Sequence, residues 1–200
     1  MSASSSTAVA TDCSGPSSIT APVRPSPCIV LIGMAGAGKS TIGEALARRL
    51  DWAFMDSDHL IEAIYGARLQ DVTDALSKDD FLDVEASVIS SIKANRTVIA
   101  TGGSVVYREK AMCHLATLGP LVHLAVPLQT VEERIARNPQ RGLAIAPGQT
   151  LRDIFLERQD LYTRYATLCC EASCKTPQEC VNWIVSNLPP EAIACDDTAP

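Results

Sequence analysis

The feature that most constrains this chain is a glycine-rich loop between a short apolar run and a helical pattern. The loop reads GMAGAGKST over residues 33–41, and the apolar run CIVLI at 28–32 precedes it. Residues 39–50 carry apolar side chains at helical spacing. A Walker A phosphate-binding loop needs a strand before it and a helix after it, so this order predicts a parallel α/β domain.

The residue types in this loop suit a nucleoside triphosphate. Gly33, Gly36 and Gly38 permit backbone conformations in which successive N–H groups face phosphate oxygens. Lys39 supplies a positive charge for the β- and γ-phosphates, and the Ser40 hydroxyl suits Mg²⁺. We therefore predict an ATP and Mg²⁺ site. Its nucleotide-binding residues are Gly33, Gly36, Ala37, Gly38, Lys39, Ser40 and Thr41.

Short apolar runs alternate with helical patterns along the rest of the chain. The strand-like runs lie at 28–32, 53–55, 97–100, 121–126 and 166–170. The helical patterns lie at 39–50, 57–65, 79–94, 108–117, 128–138, 150–163 and 177–188. This alternation is typical of βαβ units, and it predicts one domain over 28–188 in which helices cover both faces of a parallel sheet.

Composition narrows the class of protein. A hydrophobic content of 46% suits one compact domain, and a net charge of −6 argues against a general nucleic-acid binder. No apolar run reaches the length of about 18 residues that crosses a bilayer, so we expect no membrane partner. We also expect a cytoplasmic protein and a monomer. We expect residues 1–27 to form a disordered tail, with a transit peptide as the alternative, and 189–200 a C-terminal tail.

Eight cysteines raise the alternative of a metal site. The four that cluster lack a C-x-x-C pair and histidines at zinc-finger spacing. Cys28 and the pair at 169–170 fall within apolar runs, where cysteine behaves as a small buried hydrophobe. The pattern favours reduced thiols over a zinc site.

Polar residues follow the second and third strand-like runs, at the sheet edge where parallel sheets bind ligands. We predict that Asp56 holds Mg²⁺ and that Asp58 orients or deprotonates an acceptor hydroxyl, with helix capping as the alternative. Gly102 and Gly103 allow close approach of a small ligand. Arg158 is a candidate clamp for a carboxylate, with a surface salt bridge as the alternative.

The segment 137–150 interrupts the alternation of strands and helices. It reads RNPQRGLAIAPGQT and contains two prolines, two glycines and two arginines. This composition indicates a mobile loop rather than a packed element. We predict that it closes over the nucleotide and delivers arginines, the alternative being an ordinary surface loop.

Together these motifs resemble the shikimate kinase family of small P-loop kinases, over about 28–188. The matching segments are GMAGAGKST at 33–41, FMDSD at 54–58, FLDVE at 81–85, ATGGS at 100–104, RGLA at 141–144 and ERQDLY at 157–162. The resemblance implies a five-stranded parallel sheet sandwiched by helices, with a lid loop. It also implies transfer of the ATP γ-phosphoryl group to the hydroxyl of a small acid.

The resemblance assigns roles to particular residues. It implies Ser40 and Asp56 at magnesium, and Arg137 and the segment around Pro177 near adenine. The acceptor residues that it implies are Asp58, Gly102, Gly103 and Arg158, and the catalytic residues are Lys39, Asp58 and the lid residue Arg141.

The chain departs from the family pattern on the acceptor side. Leu82 stands where the family has the arginine of Phe-Arg-x-x-Glu, Ser104 replaces the third glycine of Gly-Gly-Gly, and Gly142 replaces the proline after the lid arginine. Removing one partner of a buried charge pair costs about 2–5 kcal/mol. We therefore expect the change of acceptor to centre on Leu82.

These departures lead us to favour homoserine as the acceptor, because a second arginine would repel its ammonium group. Homoserine still offers one carboxylate for Arg158 and one primary hydroxyl. The first alternative is shikimate itself, with a substitute cation from Arg68, Lys78 or Arg108. The second is a nucleotide-binding regulator without catalysis or a GTPase-like switch.

Overall fold

The computed structural model describes residues 27–137 and 148–193, which form a five-stranded parallel sheet flanked by helices. The sheet order is β2-β3-β1-β4-β5, and each neighbouring pair is parallel. The strands are β1 (Ile29–Ile32), β2 (Ala53–Asp56), β3 (Thr97–Ala100), β4 (Leu121–Ala125) and β5 (Leu168–Glu171). The predicted fold class is confirmed.

Eight α-helices connect or follow these strands within the described ranges. They are α1 (Lys39–Leu50), α2 (Ser57–Tyr65), α3 (Leu69–Ala75), α4 (Lys78–Ser91), α5 (Glu109–Leu118), α6 (Leu128–Arg137), α7 (Leu151–Tyr165) and α8 (Pro177–Asn187). Side-chain caps fix several helix starts. Ser77 accepts a hydrogen bond from the Asp80 amide at the start of α4, and Thr176 caps α8 with Pro177 in its first turn.

The central strand β1 is buried along its whole length, as an apolar strand between two parallel neighbours should be. It pairs with β3 on one side and with β4 on the other. Helix α1 packs against α8 and β3, α5 against α4 and β1, and α7 against β4. The carboxyl ends of β1, β2 and β3 therefore present their following loops at one edge of the sheet.

The structure differs from the sequence-based boundaries between the second and third strands. Helix α2 ends at Gly66, which adopts the left-handed conformation, and the additional helix α3 follows. Seven residues give too few apolar positions for a reliable helical period, so the pattern did not reveal α3. This segment forms a small second core cluster, which contains Ile61, Val72, Phe81 and Val88.

The packed domain extends beyond residue 188, where the C-terminal tail was expected to begin. Residues 190–192 form a short 3₁₀ turn, and Ala192 is buried in the main core. The expected tail over 1–27 lies almost wholly outside the described residues, as do 194–200. Most of the predicted lid segment, including Arg141 and Gly142, also lies outside them.

Two further properties concern membrane spans and thiols. None of the helices in residues 27–137 and 148–193 has the length and apolar content that a bilayer crossing requires. Six cysteines within these ranges are free thiols. The same ranges contain no group of three or more histidine, cysteine, aspartate or glutamate side chains arranged to hold a metal ion.

Candidate active site

The loop after β1 requires glycine for its backbone path. The φ angles of Gly33, Gly36 and Gly38 are +143°, +80° and +103°, a region that side chains disfavour. A Cβ atom at Gly33 would lie 2.8 Å from the Leu124 carbonyl oxygen, so the loop also packs too closely against β4 for any side chain. The Walker A pattern thus forms the tight turn expected of it.

Lys39 lies in the mouth of this loop with only 8% of its surface exposed. Its Nζ donates to the carbonyl oxygens of Gly33 at 2.7 Å and Met34 at 2.9 Å, which fixes the ammonium group beside the turn. His123 lies nearby, and burial followed by the charge of Lys39 lowers its pKa to about 4. Lys39 is therefore a fixed positive charge beside an imidazole that is neutral at pH 7.

The predicted magnesium residues lie together at the edge of the sheet. The Ser40 hydroxyl donates to Asp56 Oδ2 at 2.7 Å, and Asp56 Oδ1 accepts from the Asp58 amide at 3.0 Å. Asp56 therefore caps α2, the alternative considered for it, and also faces Ser40. Hydroxyl and carboxylate oxygens are the hard donors that Mg²⁺ prefers, so this pair fits the ion.

A cavity of about 340 Å³ opens beside the loop, and Asp58 does not line it. It is lined by Gly36, Ala37, Gly38, Ser40, Thr41, Ile42, Arg134, Ala172, Lys175 and Pro177. Pro177, which was expected near adenine, is one of the lining residues, and its contact with adenine stays a prediction. Ala172 and Lys175 were not expected there, since no motif marks the segment between β5 and α8.

Arg134 is the arginine of α6 that contacts the loop. Arg134 Nη1 donates to the Gly36 carbonyl oxygen at 2.7 Å. Arg137 is exposed at the end of the helix and does not line the cavity. The role of Arg137 near adenine stays a prediction, because the segment that follows it, 138–147, lies outside the described residues.

Gly102 lies against two carboxylate side chains on the other side of the loop. A Cβ atom at this position would lie 2.8 Å from Asp58 Oδ1 and would overlap Glu85 Oε1. The Gly102 amide donates to the Ser57 hydroxyl at 2.9 Å, which fixes the backbone. The site thus uses glycine here because two acidic groups occupy the space of a side chain.

Gly103 links the Walker A loop to the predicted carboxylate clamp. A Cβ atom at Gly103 would lie 3.1 Å from Arg158 Nη1 and 3.5 Å from the Gly33 carbonyl oxygen. The Tyr162 hydroxyl donates to the Gly103 carbonyl oxygen at 2.6 Å. The phosphate-binding loop and the acceptor side are therefore direct neighbours, as transfer between two bound substrates requires.

Arg158 is buried, with 2% of its surface exposed, and is not the surface salt-bridge residue considered as its alternative. Its Nε donates to the Tyr107 hydroxyl at 3.2 Å, and its guanidinium lies 5.0 Å from the centroid of the same ring. These contacts hold the planar guanidinium in one orientation. A pre-oriented guanidinium is the group best suited to bind a carboxylate.

Glu85 is a site residue that the sequence-based list of functional residues omitted. It is 1% exposed, and the Ser104 hydroxyl donates to its Oε2 at 2.8 Å. Its Oε1 has no hydrogen-bond partner among the described residues. Burial and the nearby Asp58 raise the pKa of Glu85 to about 8, although Ser104, Arg158 and Lys39 oppose the shift. The departure from glycine at Ser104 therefore has a structural role.

The raised pKa of Glu85 makes stability depend on pH. The folded protein keeps the proton of Glu85 up to about pH 8, whereas the unfolded chain loses it near pH 4.5. The contribution of Glu85 to the unfolding free energy is therefore fully present below pH 4.5 and is lost as the pH rises through 8. We expect Glu85→Gln, which cannot ionise, to flatten the decline of unfolding free energy between pH 5 and about 8. Urea unfolding at several pH values measures this, and an unchanged decline would contradict the assignment.

Leu82 lies on α4 one turn before Glu85 and is buried. It occupies the position where the resemblance implies an arginine. A buried carboxylate oxygen without a partner and a buried leucine one turn away are consistent with the loss of one member of a charge pair. The predicted acceptor residues Asp58, Gly102, Gly103 and Arg158 are otherwise brought together.

The sheet order, the Walker A loop and the acidic and basic groups beside it are those of an ATP-dependent P-loop kinase. The chain belongs to the shikimate kinase family, whose family model matches residues 35–189. A shikimate kinase from Chromohalobacter salexigens is 38% identical over 162 residues, which cover 80% of this chain and 90% of that protein. One from Nitratidesulfovibrio vulgaris is 35% identical over 69% of this chain and 82% of its own length.

A solved structure supports the same family. The structure of shikimate kinase from Acinetobacter baumannii in complex with shikimate has a TM-score of 0.73 and 30% identity, and the match covers 80% of this chain and 92% of that one. The chain is therefore a small-metabolite kinase that uses ATP with Mg²⁺ and a hydroxyl acceptor. The relatives give no support to homoserine as the acceptor, and their names agree better with the alternative that we set beside it.

Proposed function

We propose that this kinase transfers the γ-phosphoryl group of ATP to a hydroxyl of shikimate. The observation that carries the proposal is the acceptor pocket formed by Asp58, Gly102 and Arg158 directly beside the Walker A loop, in a chain whose relatives are named shikimate kinases. The pocket offers one carboxylate-binding group and one group for a hydroxyl. Shikimate carries both functional groups.

In this mechanism each residue has a separate task. Arg158 binds the acceptor's carboxylate, and Asp58 orients or deprotonates the attacking hydroxyl. Lys39 stabilises charge that develops on the transferred phosphoryl group. Ser40 and Asp56 hold Mg²⁺, which offsets phosphate charge when bound. Arg141, outside the described residues, remains a proposed lid residue that completes the clamp.

Homoserine remains a second candidate because of one specific observation. Glu85 Oε1 is buried without a partner, and Leu82 removes the arginine that would otherwise pair with a carboxylate there. An amino acid brings an ammonium group that satisfies this oxygen, whereas shikimate carries no cation. This argument supports a hydroxy amino acid of small size without selecting homoserine alone.

Replacing Leu82 with arginine distinguishes the two acceptors. We expect Leu82→Arg to raise kcat/KM for shikimate by at least about tenfold, because the new guanidinium pairs with Glu85 and binds a carboxylate. The same variant should lower kcat/KM for homoserine, because it repels the ammonium group. Leu82→Met, which adds no charge, is the control. Equal effects of both variants on both acids would contradict this role of position 82.

The direct test uses purified protein with ATP, Mg²⁺ and either shikimate or homoserine. ADP release and the mass of the phosphorylated product are measured for each acid. Turnover of shikimate without turnover of homoserine supports the first candidate, and the reverse result supports the second. ATP binding without a phosphorylated product from either acid or from a wider panel of hydroxy acids would favour the non-catalytic regulator.

We also propose that the enzyme acts as a monomer in a reducing, cytoplasmic compartment. The six described cysteines are free thiols, as in proteins of a reducing compartment. Light scattering during size-exclusion chromatography tests the monomer. A dimer at working concentration would contradict it.

A further inference from the structure

Three residues on one face of helix α4 are directed to the acceptor side of the site. Lys78, Leu82 and Glu85 are spaced i, i+4 and i+7, so they lie in a row along the helix. Glu85 contacts the Gly102 region of the pocket, and Leu82 is the position of the missing arginine. Lys78 therefore lies at the N-terminal end of the row that faces the acceptor.

Lys78 and the carboxylate clamp Arg158 share Tyr107 as a neighbour. The Lys78 Nζ lies 5.0 Å from the centroid of the Tyr107 ring, and the guanidinium of Arg158 lies 5.0 Å from the same centroid. Arg158 also donates to the Tyr107 hydroxyl. Two cations thus contact one ring, and the Glu157 carboxylate, which interacts with Tyr107 and accepts from Gln149 at 3.5 Å, lies beside them.

Lys78 is available for an anion in a way that the other two candidate cations are not. Its Nζ donates to the neutral Gln149 Oε1 at 3.0 Å, and within the described ranges it forms no ion pair with a carboxylate. Arg108, by contrast, pairs with Asp83 at 2.7 Å and Asp79 at 3.1 Å. Arg68 is an exposed residue before α3.

We propose that Lys78 is the second cation that binds the acceptor's carboxylate, in place of the arginine absent at Leu82. The ammonium leaves the ring of Tyr107 and the amide of Gln149 for a charged partner, and its flexible stem permits this movement. Lys78 and Arg158 then bind the carboxylate together. The inference rests on the proposed function in requiring a carboxylate on the acceptor, and it is made for shikimate, which brings no ammonium group for a second cation to repel.

The first experiment measures kinetics of Lys78→Met with both acids. We expect the KM for the acid that accepts the phosphoryl group to rise at least about tenfold, with the KM for ATP within about twofold of the wild-type value. Lys78→Arg should retain most of the affinity for the acceptor. Lys93→Met removes a lysine from an exposed position after α4 and should change neither the KM for the acceptor nor the KM for ATP. Thermal unfolding of each variant checks the fold. An unchanged acceptor KM in a folded Lys78→Met variant would overturn the inference and leave the proposed function intact.

A rescue experiment separates binding from a purely structural role. Leu82→Arg should lower the KM for shikimate by a larger factor in Lys78→Met than in the otherwise wild-type chain, since the two cations serve the same carboxylate. A lysine that only packs on Tyr107 predicts the same factor in both backgrounds, and that result would overturn the inference.

Calorimetric titration with shikimate and homoserine, in the presence of a non-hydrolysable ATP analogue, makes the test independent of turnover. If the wild-type chain binds one acid without phosphorylating it, a loss of that binding in Lys78→Met supports Lys78 while the proposed function fails. If the wild-type chain binds neither acid, both proposals are overturned.

Discussion

Replacement of Lys39 with methionine is expected to lower turnover by about a hundredfold to a thousandfold, the cost of removing one charged group that stabilises a transition state. Methionine has a similar length but no charge, so phosphate oxygens lose the ammonium that Gly33 and Met34 hold in place. The loss should appear in kcat with the best acceptor and also in ATP affinity. Coupled measurement of ADP release with ATP, Mg²⁺ and the acceptor determines both.

The control for Lys39 is a lysine outside the site. Lys93→Met removes the same charge from an exposed position after α4 and should leave kcat unchanged. Both variants should unfold at temperatures close to that of the wild type, because the turn depends on glycine conformations and on contacts with β4. Activity of Lys39→Met within a few fold of the wild-type value would show that the loop does not bind the transferred phosphate as we describe.

Substitution of Asp58 by asparagine is expected to reduce kcat by about a hundredfold to ten-thousandfold, the range for loss of a general base. Asparagine has nearly the same shape as aspartate, and the backbone amide of residue 58 still donates to Asp56 Oδ1, so α2 keeps its cap. ATP affinity should change little, because Asp58 faces Gly102 and the acceptor rather than the nucleotide cavity. Steady-state kinetics with ATP and acceptor varied separately provide both constants.

Asp71→Asn is the matched control for Asp58, since Asp71 is an exposed aspartate on α3. The Asp58 variant carries a second signature: it removes a charge that raises the pKa of Glu85, so that pKa should fall. The pH dependence of unfolding free energy would then shift to lower pH. Equal losses of ATP affinity and turnover in Asp58→Asn would contradict an acceptor-side role.

The donor side of the site could be predicted because its determinants are local in sequence. Nine consecutive residues specify the turn from Gly33, the position of Lys39 and the hydroxyl of Ser40. The alternation of apolar runs and helical patterns then predicted the parallel sheet. Helix α3 was not predicted, because its seven residues are too few to show a helical period of apolar side chains.

The acceptor side depends on contacts between residues that are far apart in sequence. Glu85 meets Gly102 and Ser104, and Arg158 meets Tyr107, only after α4, α7 and the loop after β3 have packed together. The motif at 81–85 contained Glu85, and its spacing of three from Leu82 was the signal that could have marked it as a pocket residue. The contact of Arg134 with the Gly36 carbonyl oxygen likewise joins residues 98 positions apart, so no local motif marks it.

The measurement that tests the central claim most directly follows the γ-phosphoryl group itself. Purified chain, Mg²⁺ and ATP labelled in the γ-phosphate are mixed with shikimate, and the labelled products are separated and identified by mass. The account predicts acceptor-dependent ADP release and label in a phosphate ester of shikimate, with the signal lost in Lys39→Met. Acceptor-independent hydrolysis that leaves the label in inorganic phosphate, or label in no ester of any small hydroxylated acid tested, would contradict it.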